Sequence, residues 1–286
     1  MEIKIIQTQK ALSPTQIQLA DYVINPYRGC EFGCLYCYSQ ENKNIKNMDF
    51  FNSLCVKINI ADVLRQQLQY TRPKRVLLGS TTECFQYQEA KYGLTRQMLE
   101  ILNAENIPYT ILTKSHLIKK DLSIIAKNRE NKIYFTLNFA SDDIIKLFEN
   151  NSSLLKMRLE TIEEILKNKI QLRIHIGPFM PYVSILKKII KLIPSGTREI
   201  DIELYHKKMG NFKKISALVE EKFGKETKDM FCEVYRNKET YADFTKKLTN
   251  EIAEIEKNNP AKFFCILPDF NEFYNKGMDY NEKTVF

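Results

Sequence analysis

Short apolar runs alternate along the chain with longer stretches in which apolar residues recur every three or four positions. The apolar runs are rich in Val, Ile, Leu, Phe and Tyr, which is typical of buried β-strands. This pattern predicts strands at residues 22–25, 76–79, 109–113, 133–138, 172–176 and 199–204.

The stretches between these strands have helical periodicity, as at Leu155, Leu159, Ile162 and Leu166. The pattern predicts helices at residues 61–70, 95–106, 121–127, 142–149, 154–168 and 183–192. Because alternating strands and helices form parallel sheets with crossover connections, we expect an α/β fold. Six units are fewer than the eight of a closed barrel, so the expected architecture is an open, partial (β/α)6 TIM-like barrel.

Two regions of the chain differ in pattern. We expect residues 1–205 to form the barrel core and residues 206–286 to form a helical C-terminal extension that packs on it. The sequence from about Met209 is helical in pattern and rich in Lys and Glu, and residues 263–267 have the composition of one further strand.

Composition excludes several classes of protein. With 286 residues, of which 44% are hydrophobic and 11% aromatic, the chain is neither disordered nor a disulfide-rich mini-protein. No apolar run approaches the roughly 18 residues of a membrane-spanning helix. The first ten residues contain no apolar signal-peptide core, so we expect a cytoplasmic protein. We also expect a monomer or a weak dimer.

The charge balance is moderately basic. Lys and Arg number 43 and Asp and Glu 35, which gives a formal net charge of +8. Such a surface favours nucleic acid or an acidic protein partner, but codon usage is the stronger explanation, because Lys and Asn are abundant throughout the chain. A lysine-rich segment beyond the sixth strand is interpreted either as a phosphate or acidic-peptide contact or as a solvated helix face, and it contains Tyr205, His206, Lys207, Lys208, Lys213 and Lys214.

Three of the seven cysteines form a compact motif with C-x3-C-x2-C spacing, namely Cys30, Cys34 and Cys37. In a cytosolic chain such a cluster indicates metal binding rather than disulfides. Gly29 and Gly33 allow the backbone to curl close to the sulfur atoms.

A fourth ligand decides which metal centre this motif suits. A structural zinc site requires a fourth Cys or His, but the histidines, at positions 116, 175 and 206, lie far along the chain. A four-iron cluster held by three cysteines keeps one iron open to a small molecule, which favours catalysis.

Polar or glycine-containing segments follow the predicted strands at their carboxyl ends, where barrel enzymes carry their chemistry. They are residues 26–38, 80–89 and 114–115, then Asn138 and the Gly177-Pro178 pair. Each alone is compatible with an ordinary loop, but together they indicate one site.

The cysteine motif and its surroundings resemble the radical S-adenosylmethionine (SAM) superfamily. The segment NPYRGCEFGCLYCY resembles the spore photoproduct lyase-like branch, often labelled DNA repair photolyase. The resemblance continues through LLGSTTECFQYQEAKYGLT, ILTKS, FTLN and IHIGPFMP, and so covers about residues 20 to 205.

The resemblance implies that Cys30, Cys34 and Cys37 ligate three irons of a [4Fe–4S] cluster, whose fourth iron is chelated by SAM. Reductive cleavage of SAM would give methionine and a 5′-deoxyadenosyl radical that abstracts hydrogen from substrate. A flavodoxin or ferredoxin is implied as electron donor and nucleic acid as substrate, with a peptide or small metabolite as the alternative. An alternative of another class is a non-catalytic iron–sulfur or zinc protein that serves as a redox sensor or binding module.

The resemblance also implies SAM contacts. Tyr36 and Tyr38 match aromatic positions at SAM, although such residues also serve to shield a cluster. Thr82 and Glu83 match positions at the methionine end, where a carboxylate suits the ammonium group.

Further positions match along the barrel. Lys114 matches a lysine for the SAM carboxylate or ribose, with a surface lysine as the alternative. Thr136 and Asn138 match positions facing the ribose. Gly177 matches a backbone position that admits the adenine, with a turn glycine before Pro178 as the alternative.

The sequence departs from the pattern in two places. Spore photoproduct lyase carries a hydrogen-donating cysteine where this chain has Ser80, and Tyr87 replaces a proline. Cys84 is therefore the candidate catalytic thiol, provided that its loop folds back, and repair of thymine dimers is in doubt.

Four other residues have structural interpretations. Arg158 matches a helix position common in the branch, but we expect a surface salt bridge there. Cys55, Cys232 and Cys265 have no ligand spacing and are expected to be buried structural thiols.

Overall fold

The structure is a computed structural model, and it describes residues 1–41, 49–50, 52–208 and 211–274. The strands within these residues are β1 (Glu2–Ile6), β2 (Ser13–Pro14), β3 (Tyr22–Ile24), β4 (Tyr27–Arg28), β5 (Ser53–Lys57), β6 (Val76–Leu78), β7 (Tyr109–Thr113), β8 (Lys132–Thr136), β9 (Gln171–Phe179), β10 (Glu199–Leu204) and β11 (Lys262–Ile266).

The helices described are α1 (Ile60–Leu68), α2 (Glu89–Tyr92), α3 (Leu94–Ala104), α4 (Leu122–Ile125), α5 (Asp142–Phe148), α6 (Leu155–Lys167), α7 (Leu186–Leu192), α8 (Phe212–Phe223), α9 (Lys225–Val234) and α10 (Lys238–Glu256). The six predicted strands and six predicted helices are all present, with ends that differ by three residues or fewer. The helices bury their apolar stripes, such as Leu99 and Leu102 of α3 and Ile162 and Ile165 of α6.

The main sheet has the order β11-β10-β9-β8-β7-β6-β3-β2. Its described strands from β3 to β11 pair in parallel, and only β2 is antiparallel. An α/β partial barrel is thus confirmed. Its parallel strands number seven within the described residues, because the further strand expected near residues 263–267 forms and pairs with β10.

The segment after residue 205 contributes α8, α9 and α10 as well as β11. Its residues 209–210 and 275–286, including Met209, lie outside the described residues. Division of the chain into two domains at residue 205 stays a prediction.

A second, three-stranded sheet of order β1-β5-β4 was not predicted. In it, Tyr27 and Arg28 of β4 pair antiparallel with Val56 and Cys55 of β5. Because β4 ends two residues before Cys30, this small sheet anchors the chain that enters the cysteine motif.

Strands β9 and β10 show how the barrel interior acquires polar groups. Ile174 and Ile176 of β9 are fully buried, and the alternate positions Arg173 and His175 face the other side of the sheet. In register with them, Glu199 of β10 pairs with Arg173, and Asp201 pairs with His175.

None of the helices in the described ranges has the length and apolar character needed to span a membrane.

Candidate functional site

A cavity of about 200 Å³ lies at the carboxyl ends of the barrel strands. It brings together ten of the twelve predicted site residues, which are Cys30, Cys34, Tyr36, Cys37, Tyr38, Thr82, Glu83, Lys114, Thr136 and Gly177. We call the wall that carries the three motif cysteines the cysteine side, and the wall formed by β9 and β10 the β9–β10 wall.

The cysteine motif forms a tight loop. Gly29 and Gly33 both adopt positive φ, at 89° and 60°, as expected for a curled backbone. The Cys37 amide donates to the Cys34 carbonyl oxygen at 3.1 Å. Burial raises the pKa of the Cys34 thiol to about 12 and also raises the pKa of Cys37.

The spacing of the thiols bears on which metal centre fits. Across the described part of the chain, no three Cys, His, Asp or Glu side chains are gathered closely enough to ligate a single metal ion. In a zinc site one ion binds all the ligands and lies about 2.3 Å from each sulfur. In a four-iron cluster each cysteine binds a different iron. The three motif cysteines line one cavity, as expected if they hold a common cluster.

Glu83 is a buried carboxylate held by hydrogen bonds, with Lys114 as a nearby cation that pairs with Glu149 instead. Its oxygens accept hydrogen bonds from the Phe85 amide at 2.9 Å, the Thr113 hydroxyl at 2.7 Å and the Lys114 amide at 3.1 Å. Among the described residues no salt bridge reaches it, and burial raises its pKa. An incoming ammonium group would supply the missing positive charge, which fits the predicted amino-binding role.

The loop after β6 supports the cysteine motif. The Thr82 hydroxyl donates to the Gly29 carbonyl oxygen at 2.6 Å, and the Tyr38 hydroxyl donates to the Ser80 carbonyl oxygen. Gly79 has a φ of +87°, and a Cβ there would lie 2.6 Å from the Leu112 carbonyl oxygen. The chain can therefore pass this close to β7 only with glycine at position 79.

The Lys114 side chain contacts residues of the cysteine side and does not lie at the protein surface. Its Nζ donates to Tyr36 Oη at 2.7 Å, contacts Glu149 Oε1 at 3.3 Å and lies 3.6 Å from Cys34 Sγ. Burial alone would lower the pKa of Lys114, but Cys34, Glu149 and Tyr36 outweigh it and hold the pKa well above its usual value.

Asn138 lies behind the cavity lining and is fully buried. Its Nδ2 donates to Tyr36 Oη at 3.1 Å, whereas its Oδ1 has no hydrogen-bond partner in the described structure. Thr136, two residues earlier, does line the cavity. Of the two residues predicted to face the ribose, Thr136 thus reaches the cavity, whereas Asn138 supports Tyr36 from behind.

The expectation of a surface salt bridge at Arg158 is wrong. The side chains of Arg158 and Glu149 are both completely buried and form an ion pair. The reason is that Glu149, at the end of α5, and Arg158, in α6, pack behind the cysteine loop. Glu149 was missed because nothing in its sequence context distinguishes it from a surface glutamate.

Gly177 is part of β9, so the alternative of a turn glycine is also wrong. It shares a strand face with His175, and a Cβ at position 177 would lie 2.1 Å from His175 Nε2. The absence of a side chain at Gly177 thus makes room for the His175 ring.

The β9–β10 wall contains an acid–histidine cluster that sequence reasoning missed. His175 Nδ1 lies 2.5 Å from Asp201 Oδ2, and His175 Nε2 lies 3.5 Å from Glu203 Oε2. Burial alone would lower the pKa of His175, but the two carboxylates outweigh it and raise the pKa. Although remote from the cysteines in sequence, His175 and His206 line the same cavity. For His175, the alternation of side chains along β9 was the signal in the sequence that could have predicted its position.

Cys84 is not brought to the cavity. It does not line the cavity, its side chain is completely buried, and its Sγ lies behind Gly79. Burial raises the pKa of this thiol well above its usual value. Ser80, in contrast, does line the cavity.

The remaining cysteines differ in exposure. Cys55 and Cys232 are buried, as expected, whereas Cys265 on the edge strand β11 is exposed, contrary to expectation.

The lysine-rich segment is divided between two environments. Lys213 and Lys214 are exposed on α8, but Lys207 donates to the Tyr235 carbonyl oxygen at 2.9 Å and lies 3.7 Å from the ring centroid of Tyr274. Lys207 is thus tied to an aromatic cluster rather than extended into solvent.

Comparison with known families and proteins agrees with this site. The family model described as the radical SAM superfamily matches residues 24–193. An uncharacterized protein from Methanocaldococcus jannaschii is 28% identical over 182 residues, which cover 63% of this chain and 69% of that protein. An uncharacterized protein from Mycobacterium tuberculosis is 28% identical over 172 residues, 57% of this chain and 51% of that protein.

The fold is similar to that of spore photoproduct lyase. A cysteine-to-serine variant of that enzyme superposes with a TM-score of 0.56 at 18% identity, covering 70% of this chain and 60% of that one. Its complex with the dinucleoside spore photoproduct has a TM-score of 0.55 at 16% identity, covering 78% and 66%.

The chain thus spans only part of the length of these proteins, and the structural similarity concerns the fold. The family match, in contrast, covers more than half of the chain and includes the cysteine motif and most of the cavity-lining residues. The protein therefore belongs to the radical SAM superfamily, and as a radical SAM enzyme it uses the cofactors of that family, a [4Fe–4S] cluster and SAM.

Proposed function

We propose that Cys30, Cys34 and Cys37 hold the [4Fe–4S] cluster and that SAM binds across the cavity beside it. The observation that carries this proposal is that three thiols line the same cavity as Glu83, a carboxylate held by three protein donors and with no salt bridge among the described residues. When bound, the two cofactors supply a 5′-deoxyadenosyl radical that abstracts a hydrogen atom from substrate.

The roles of this chain's own residues follow from their positions. Glu83 accepts the ammonium of the methionine end, because a charge-assisted hydrogen bond there satisfies a buried carboxylate. Thr82 supports the cysteine loop through Gly29. Thr136 lines the cavity and contacts the ribose, and Asn138, which lies behind the lining, supports this part of the site through its hydrogen bond to Tyr36.

The aromatic and glycine positions shape the same cavity. Tyr36 and Tyr38 flank Cys37 and line the cavity, so they shield the cluster from water and contact SAM. Gly177 lies where the adenine would approach, next to the His175 ring. Hydrogen donation by Cys84 is not part of the proposal, because its thiol lies behind the cavity wall.

For the substrate, we favour a peptide or a small metabolite with hydrogen-bond donors. With Glu83 assigned to the ammonium group of SAM, Glu203 is the carboxylate left at the cavity surface, and the lining's one lysine in the described structure, Lys114, is already paired with Glu149. Such a lining is unfavourable for phosphate groups, which require unpaired cations.

Nucleic acid is the second candidate, supported by the similarity in fold to an enzyme solved with a dinucleoside lesion and by the net charge of +8. Binding of an oligonucleotide that weakens steeply with added salt would favour it. Salt-independent binding or no binding would favour the peptide or metabolite.

We further propose a cytoplasmic protein, a monomer or weak dimer, that receives electrons from an acidic flavodoxin or ferredoxin. Arg28, exposed directly before the cysteine motif, places a positive charge where such a donor would dock.

The decisive experiment is anaerobic reconstitution followed by reduction with dithionite in the presence of SAM. We expect about four irons per chain and the formation of 5′-deoxyadenosine. Cys34→Ser should lose both, whereas the matched control Cys55→Ser, which alters a buried cysteine outside the motif, should retain both. A fully loaded and reduced protein that forms no 5′-deoxyadenosine would overturn the proposal.

A further inference from the structure

A set of charged residues that the proposed function does not use extends from the cysteine side of the cavity into the protein behind it. We call Lys114, Glu149 and Arg158 the charged network. Glu149 and Arg158 are completely buried and do not line the cavity. Because removing a charge from water costs several kcal/mol per ion, such a pair persists only where close contacts compensate.

Arg158 is held on one side of Glu149. Its Nη2 pairs with Glu149 Oε2 and donates to Ser152 Oγ at 2.6 Å, and its Nε donates to the Ser153 carbonyl oxygen at 2.7 Å. Ser152 Oγ donates to the same Glu149 oxygen at 2.9 Å. Removal of Arg158 would therefore leave Glu149 Oε2 buried without its cation.

The other oxygen of Glu149 faces the cysteine side. It accepts a hydrogen bond from the Tyr36 hydroxyl and contacts Lys114 Nζ at 3.3 Å. Lys114 Nζ lies in turn 3.6 Å from Cys34 Sγ, within the range of an N–H···S hydrogen bond. Glu149 thus connects a buried arginine to the cation that touches a cysteine of the motif.

The same segment also holds the main chain of the cysteine loop. Glu149 forms an isolated antiparallel bridge with Cys34, and the Leu35 amide donates to the Phe148 carbonyl oxygen at 2.9 Å. One residue therefore fixes Cys34 through its backbone and the cation facing Cys34 through its side chain.

The charges of the network do not cancel. Two cations and one carboxylate leave a net charge of +1 beside Cys34. Hydrogen bonds to cluster sulfurs and the net charge around them are among the factors that set the reduction potential of an iron–sulfur cluster. A positive charge favours the reduced cluster, which carries one more negative charge than the oxidised cluster.

We infer that the charged network, whose Lys114 ammonium lies 3.6 Å from Cys34 Sγ, sets the reduction potential of the cluster, and that Glu149 lowers this potential by cancelling one of the two positive charges. This inference rests on the proposed function, because it requires a cluster on the three cysteines.

The test is a potentiometric titration of the reconstituted protein without SAM, followed by the electron paramagnetic resonance signal of the reduced cluster. Glu149→Gln removes a negative charge while preserving shape, so the midpoint potential should shift to more positive values. Lys114→Met removes the cation at Cys34, so the potential should shift to more negative values. A purely structural role would not give shifts of opposite sign.

The matched control is Asp121→Asn, which neutralises a different buried carboxylate that pairs with an arginine, Arg96. It should leave the potential unchanged. If Glu149→Gln does not fold or load iron, Lys114→Met alone decides, and a negative shift supports the inference. Unchanged potentials at full iron loading would overturn it, and so would shifts of the same sign. An unsubstituted protein that binds far fewer than four irons would instead overturn the proposed function.

Discussion

On the cysteine side of the cavity, the buried charges come from segments far apart in sequence, whereas on the β9–β10 wall they come from two paired strands. Tyr36 and Glu149, for example, are 113 residues apart, and His175 and Asp201 are 26 residues apart on neighbouring strands in register. The cysteine side therefore depends on long-range packing of loops and helices, and the β9–β10 wall depends on strand register.

This difference has an energetic consequence. Each member of the charged network compensates another buried charge, so removing one leaves a partner that water cannot reach. The side chains of His175 and Glu203 are partly exposed to the cavity, at 14% and 22%, so water can replace a lost partner there. We therefore expect substitutions to cost more stability on the cysteine side.

The largest effect is expected for Arg158→Met. It leaves the buried Glu149 with Lys114 as its remaining cation, and should lower the free energy of unfolding by about 3–5 kcal/mol, as measured by urea denaturation. The control Arg65→Met breaks an exposed pair with Asp62 and should cost at most about 1 kcal/mol. Equal costs for the two variants would show that the buried Arg158–Glu149 pair matters no more to stability than an exposed pair.

A smaller effect is expected from adding a methyl group at Gly177. Combining this change with truncation of His175 tests whether the methyl group is crowded by a side chain or by the backbone. Gly177→Ala should cost about 1–3 kcal/mol, because its Cβ would overlap the His175 ring. In a His175→Ala background most of that cost should disappear, which a double-mutant cycle measures.

Gly79→Ala is the corresponding variant on the cysteine side. Its Cβ would meet the Leu112 carbonyl oxygen, a backbone atom, at a φ of +87°. Truncation of the neighbouring Cys84 side chain to Ala should therefore not rescue it. Two results would contradict this distinction between the glycines: recovery of stability in Gly79→Ala when Cys84 is truncated, or no recovery in Gly177→Ala when His175 is truncated.

The smallest effect is a pH dependence of opposite sign at two histidines. Because the folded-state pKa of His175 is raised by Asp201 and Glu203, its stabilising contribution should be complete below the unfolded value of about 6.5 and should vanish as the pH rises through the folded-state pKa. His175→Gln should therefore lose most stability, relative to the unsubstituted protein, at the acidic end.

His116 is the matched control, because burial, with Lys119 and Lys120, lowers its pKa. Its protonation opposes folding, so His116→Gln should gain relative stability as the pH falls. Urea denaturation between pH 5 and pH 8, the range in which histidines change charge, measures both trends. Parallel trends for the two variants would show that another group dominates the pH dependence.

The sequence predicted the features that depend on local pattern. Strands and helices followed from hydrophobic periodicity, and the cysteine loop followed from spacing and from Gly29 and Gly33. Ten candidate residues converged on one cavity because carboxyl ends of parallel strands meet at one edge of a barrel.

The features that were missed depend on tertiary contacts or on register. Burial of Glu149 and Arg158 arises only when α5 and α6 pack behind the cysteine loop, which no local pattern records. The position of His175 was readable in principle, because it shares its strand face with Gly177, but its partner Asp201 requires knowledge of how β9 and β10 align.

The antiparallel bridge between Cys34 and Glu149 has a consequence for biosynthesis. A nascent chain that ends before residue 149 carries all three motif cysteines but lacks Glu149 and Arg158. The cysteine loop is therefore synthesised well before the segment that packs behind it. At roughly 5–20 residues per second, the interval lasts several seconds. During that interval the backbone bridge that holds Cys34 cannot form, so the cysteine loop acquires its final support only after residue 149 has been synthesised.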